Sequence, residues 1–161
     1  MTTPTDIEVI GSGKATGSLA RGLHKKVIQS VGAATRTLLA SESGSLCIFD
    51  RAAGLTYTLP TAVEGMTFDF LATVLQTGGV YSTRAATGAF LLGAVVSGEL
   101  GALMDVFQAN GSTHLGIATN ATTTGGLVGT TWTVTAISAT QWAITGQTIT
   151  TNAGADPFVT V

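Results

Sequence analysis

Apolar and polar residues alternate along most of this chain, with the period of two that belongs to β-strands. From Thr67 to Leu75, Phe68, Phe70, Ala72 and Val74 share one face, and Asp69, Leu71, Thr73 and Leu75 share the other. Thr131 to Ile137 sets Trp132 and Val134 against Thr133 and Thr135. After a short turn at 138–140, Gln141 to Thr145 brings Trp142 and Ile144 onto one side. Further strand-sized runs are Leu46–Arg51, Leu55–Leu59, Val80–Arg84, Phe90–Val96, Asp105–Ala109, His114–Thr119 and Phe158–Val159. Gly78-Gly79 predicts a turn that sends the chain back along the strand before it. Asn110-Gly111 is the strongest hairpin signal in the chain. The best helical fragment, Gly98 to Met104, is interrupted by Gly101. No helical segments alternate with the strands, and no repeat of fixed period is evident. The pattern predicts an all-β body, a sandwich, jelly-roll-like fold or barrel, with Phe68, Phe70, Val74, Trp132, Val134, Trp142 and Ile144 inward.

The N-terminal segment, up to Ala40, reads differently. Gly11-Ser-Gly13, Gly17-Ser18, Gly22 and Gly32 punctuate it, and glycine weakens both helix and strand. Short pieces such as Ile7–Ile10 and Lys26–Ile28 remain able to pair as strands on a partner. Residues 1–40 are therefore expected to be an extended N-terminal arm, and residues 41–161 a β-rich domain whose strand signals start near Thr35. Charge divides the same way. The arm holds Lys14, Arg21, Lys25, Lys26 and Arg36 against Asp6 and Glu8, a net +3. The remainder holds Arg51 and Arg84 against seven acidic residues, a net −5. A basic leader on an acidic body implies two jobs. It singles out Arg21, Lys25, Lys26 and Arg36 as docking residues for an acidic partner surface.

Only 10% of the 161 residues are charged, against roughly 25% in an average soluble protein. The surface must then be made largely of Thr, Ser, Gly and Ala. With so little repulsion between copies, such a surface favours association. The opening Met1-Thr-Thr-Pro-Thr-Asp6 lacks the basic-then-apolar pattern of a signal peptide, and no apolar run approaches the ~18 residues of a membrane span. The expectation is folding in a cytoplasm, without membrane contact. Asn110-Gly-Ser112 and Asn120-Ala-Thr122 match a glycosylation pattern that is incidental in that setting.

Residues able to carry chemistry are few. Gly11-Ser-Gly13-Lys-Ala-Thr-Gly17 has the look of a phosphate loop. However, Glu8 stands where its first glycine belongs, Ala15 stands where a hydroxyl must reach magnesium, and Thr16 replaces the third glycine of the dinucleotide pattern. His24 and His114 are not at metal-ligand spacing, and Cys47, the single cysteine, sits among Leu46, Ile48 and Phe49 as a small buried hydrophobe. Asp69 and Asp105 lack the clustered titratable groups of a catalytic pair. Trp132 and Trp142 fit a carbohydrate platform less well than a core, because each is in phase with aliphatic neighbours. The arm has no interleaved aromatics and the pI is near 5.5, which speaks against nucleic acid. The reading is a non-enzymatic protein without cofactor or metal.

One succession of residues is more specific. It runs Thr56-Tyr-Thr-Leu-Pro-Thr-Ala62, Thr67-Phe-Asp-Phe70, Gln108-Ala-Asn-Gly-Ser112, Asn120-Ala-Thr-Thr-Thr-Gly-Gly-Leu127, Trp132-Thr-Val-Thr135 and Gln141-Trp-Ala-Ile-Thr-Gly146. It resembles the small head decoration, or cement, proteins of tailed bacteriophages over roughly residues 45–147. It departs from that pattern at Val128 and Thr130, where a basic and a more polar residue are expected. The resemblance implies a β-rich homotrimer on the outer capsid surface that clamps neighbouring subunits of the major capsid protein. The arm is not part of the resemblance. Two other readings compete: a head-fibre or tail-spike module that binds the host surface, and a small enzyme or carbohydrate-binding domain.

Overall fold

The computed structural model of the protein describes residues 25–101 and 104–160. In chain order its strands are β1 (Val27–Ile28), β2 (Thr35–Thr37), β3 (Ser45–Phe49), β4 (Leu55–Thr58), β5 (Thr67–Ala72), β6 (Tyr81–Arg84), β7 (Phe90–Glu99), β8 (Met104–Asn110), β9 (His114–Thr119), β10 (Thr131–Ser138), β11 (Gln141–Thr150) and β12 (Phe158–Thr160). A seven-stranded sheet has the order β1-β3-β5-β10-β11-β7-β8, and a five-stranded sheet the order β12-β9-β6-β4-β2. Both are mixed, and neither closes into a barrel. The all-β expectation holds, and among the described residues there is no α-helix.

From β1 to β6 the chain alternates between the sheets, so strands two apart in sequence pair in parallel. The shortest turn of this winding brings Leu46 opposite Val27, and the longest brings Tyr81 opposite Leu55. Parallel neighbours need a long crossover, commonly a helix; here the strand of the opposite sheet supplies it. The corners explain why glycine is required. A Cβ at Gly54 would lie 2.7 Å from the Val80 nitrogen, and one at Gly79 would lie 2.4 Å from the Ala53 oxygen. Both glycines have positive φ, so the two corners stack backbone on backbone where no side chain fits. Gly78-Gly79 is thus a passage from one sheet to the other, not the hairpin expected of it.

Asn110-Gly111 corrects the hairpin expectation in the same way. β8 pairs with β7 and β9 with β6, so the turn carries the chain between sheets. The Asn110 Oδ1 accepts the N–H groups of Ser112 and Thr113 at 3.0 Å and closes the corner itself. Gly98 and Glu99 lie in β7 and Met104 in β8, in place of the weak helical fragment. The turn at 138–140 does close a hairpin, β10 with β11.

Period-two alternation drives the packing. Phe68, Phe70, Trp132, Val134, Trp142 and Ile144 are buried as expected, with Val74 half-buried against them. Phe49 lies at the centre of the aromatic core, its ring 4.8 Å from Tyr81, 5.3 Å from Trp132 and 5.4 Å from Tyr57. Polar links also cross the core. The Tyr57 hydroxyl donates to the Ile48 carbonyl at 2.8 Å, and Trp132 Nε1 donates to Thr83 Oγ1 at 3.1 Å.

The expected boundary at residue 40 does not hold for residues 25–40. β1 extends the larger sheet beside β3, and β2 extends the smaller one beside β4. Ile28 and Leu38 are each only 1% exposed, and the Ser30 N–H is held by Asp50 at 3.1 Å. Glycine spacing obscured this, because such short strands gain their stability from the parallel neighbour they complete and not from their own propensity. The rest of the expected arm, residues 1–24, lies outside the described residues.

Candidate interaction surface

A 3-10 turn over Ala40–Glu42 follows β2 and folds the Glu42 carboxylate back between β1 and β2. Its Oε2 accepts the Leu39 N–H at 3.0 Å. Its Oε1 accepts Lys26 Nζ at 3.0 Å and an Arg36 guanidinium N–H at 2.9 Å. Arg36 also donates to the Gln29 carbonyl at 2.8 Å. The Glu42 side chain is 7% exposed, while Arg36 is 28% and Lys26 62% exposed. Burial alone would raise the Glu42 carboxyl, but the Leu39 amide and the two cations outweigh it and hold it below the ordinary carboxylate value.

On the outer face of the larger sheet, Lys25 pairs with Asp69, whose other oxygen accepts the Thr133 hydroxyl at 2.6 Å. Burial again opposes ionisation of Asp69, and Lys25 and Thr133 overcome it, so this carboxyl too is lowered. The structure therefore gathers Lys25, Lys26 and Arg36 at one edge of the sandwich, but with acidic partners inside the chain. Arg21 lies outside the described residues. Sequence reading missed Glu42 as the centre of this group. The only available signal was its place three residues after the residue that starts the turn, without the Ser or Thr that makes such spacing diagnostic.

The rest of that outer face is neutral. Across the seven strands the outward positions are mostly Thr, Val, Leu, Ile, Ala, Gln and Gly, with Phe90, Met104 and Asn110 among them, and Asp69 is the one charge among those described. Among the described residues the chemistry-bearing types do not converge, and no three of His, Cys, Asp and Glu come together as a metal group. Burial pushes the Cys47 thiol up to about 12, so it is not a ready nucleophile. Trp132 and Trp142, 1% and 0% exposed, belong to the core and offer no platform to a sugar. The His114 Nδ1 accepts the Asn110 N–H at 3.0 Å and is committed to its corner. The Asn120 Oδ1 accepts the N–H groups of Thr122, Thr123 and Thr124, so both Asn-x-Ser/Thr motifs serve turns.

Comparison with family models, with curated proteins and with solved structures finds no match for this chain.

Proposed function

We propose that this protein is a structural decoration protein of a tailed-phage head, binding the outer surface of the shell and bridging subunits of the major capsid protein. The observation that carries the reading is the broad outer face of the seven-stranded sheet, whose single described charge is already paired. Such a face gains from being covered by protein and gives nothing to hold a soluble substrate. The basic edge adds a second element. Lys25 and Lys26 keep most of their side chains in water, at 63% and 62% exposed, and an ammonium has three donors of which each uses one here. They can meet acidic groups on a shell while still paired within the chain. Exposed pairs contribute only ~0.2–1 kcal/mol each, so these cations set encounter and register while buried neutral surface carries affinity. On this reading the protein resides on the virion after assembly in the host cytoplasm, is arranged as a homotrimer once on the shell and performs no catalysis.

A second reading, a head-fibre or tail-spike module, draws on one specific feature. The winding of β1 to β6 stacks parallel turns, the arrangement by which β-solenoids extend into rods. Co-sedimentation of the purified chain with undecorated phage shells and, separately, with host cells distinguishes the two. The decoration reading expects saturable binding to shells, slowed and made less salt-dependent by Lys25→Gln with Lys26→Gln. Binding to cells and not to shells would overturn it.

A further inference from the structure

β8 (Met104–Asn110) ends the seven-stranded sheet, with β7 on one side and, among the described residues, no strand on the other. The phase of the ladder shows which backbone groups are left over. Gly111 donates its N–H to the Leu91 carbonyl at 2.8 Å, and the register runs unbroken from Leu92 opposite Asn110 to Gly98 opposite Met104. In an antiparallel pair only alternate residues bond to a given neighbour. Asp105, Phe107 and Ala109 therefore bond to β7, while Met104, Val106 and Gln108 turn their N–H and C=O groups off the sheet. Asn110, next in that series, gives its N–H to His114, which marks where the free edge stops.

The side chains of this edge supply little of the usual protection, a single charge at Asp105 in the row opposite buried Ser97. Natural sheets blunt an edge with lysine, proline or a very short strand. β8 has seven residues, no lysine and no proline. Met104 is 76% and Val106 69% exposed. They continue an apolar patch through Val96, directly opposite Val106, and across the bare Gly98 to Ile149. The one charge on the strand, Asp105, belongs to the alternate row.

We propose that β8 is a contact between two copies of this chain, paired antiparallel about a two-fold axis at Val106. This register suits a second copy because it is self-complementary. Val106 meets the partner's Val106 and Met104 meets the partner's Gln108, each pair exchanging backbone hydrogen bonds through groups that have no partner among the described residues. Asp105 falls opposite the partner's Phe107, so the two carboxylates are kept from facing one another. The sheet becomes continuous through both copies. The pairing uses the backbone edge of β8 and leaves the outer face of the sheet turned toward the shell, and any three-fold arrangement on a shell would be joined through it to its neighbours.

The purified full chain tests this alone. A strand of seven residues is a smaller contact than the ~800 Å² per partner of a standard interface, so the dimer should show at ~100 μM and above. Sedimentation of the wild type should give twice the 16.2 kDa mass, and Val106→Pro and Val106→Lys should each give a monomer with an unchanged circular dichroism spectrum. Opposed residues of a hydrogen-bonded antiparallel pair have Cα atoms ~5.5 Å apart, within disulfide reach. Val106→Cys should therefore cross-link to itself on oxidation, with buried Cys47 a bystander. Met104→Cys and Gln108→Cys should cross-link only when mixed. A wild type that stays monomeric at ~1 mM, an oligomer that survives both Val106 variants, or self-cross-linking at Met104 equal to that at Val106 would overturn the proposal.

Discussion

Removing the Glu42 carboxylate tests whether β1 and β2 are held to the sandwich through one acidic side chain. Glu42→Ala deletes three hydrogen bonds, to the Leu39 amide, Lys26 and Arg36, at 2.9–3.0 Å. The three differ in worth. Arg36 is 28% exposed and recovers only part of its hydration, so its charged bond contributes about 1–2 kcal/mol. Lys26 is 62% exposed and contributes ~0.2–1 kcal/mol. The Leu39 amide, on a residue 59% exposed, adds ~0.5–1 kcal/mol. The sum is about 2–4 kcal/mol, below the cost of orphaning a fully buried charge because both cations reach water. With a urea slope of about 2 kcal/mol/M, the unfolding midpoint should fall by ~1–2 M at unchanged slope. Glu42→Gln keeps an acceptor for the amide and should fall between. The pH dependence has a definite sign. A carboxyl lowered on folding stabilises the protein above its ordinary value of 4.5, and that contribution is lost as pH falls through the folded value. The gap between wild type and Glu42→Gln should therefore be full at neutral pH and close as pH drops below that range. A midpoint shift under ~0.3 M for Glu42→Ala, or a gap that widens in acid, would refute the reasoning.

Other expectations follow from the core and its edges. Trp142→Ala should cost ~3–5 kcal/mol, but Trp142→Phe should cost less than Trp132→Phe by chemical denaturation, because Trp142 Nε1 has no partner among the described residues whereas Trp132 Nε1 donates to Thr83. Deleting residues 1–34 removes β1 and the buried Ile28 that lies under the Tyr57 hydroxyl, so that truncation should have a distinctly lower melting temperature than one ending at residue 24. Equal stability of the two would show that β1 contributes nothing. Cys47, with its thiol raised to about 12, should resist a thiol reagent in native buffer at pH 8 and react at once in denaturant.

Much of the body was legible because burial imprints a period of two on any strand with one face inward. The phase of Phe68 and Phe70, of Trp132 and Val134, and of Trp142 and Ile144 correctly marked inward positions. The hairpin of β10 and β11 followed from two strands and a short turn, a local signal. Local signals misled where a turn's meaning depends on what it packs against. Gly78-Gly79 and Asn110-Gly111 have hairpin chemistry, yet both turn the chain from one sheet to the other. Gly79 does so because Gly54, from a corner a full turn of the winding earlier, lies against it. The winding itself left no fixed period to detect, since its turns are unequal: the step from Val27 to Leu46 is shorter than the step from Leu55 to Tyr81.

The basic edge shows the same division. The sequence alone established that positive charge is concentrated before residue 40, because charge is a property of composition. It could not show that Lys26 and Arg36 converge on Glu42, or that Lys25 reaches Asp69 on the outer face of the larger sheet. Ion pairs between residues up to 44 positions apart arise only once parallel register places their strands side by side. Alternation along the chain thus determined that the protein is built of strands and which side of each is buried. Which strand lies beside which was decided in three dimensions, because pairing energy depends on neighbours that a strand's own residues do not specify.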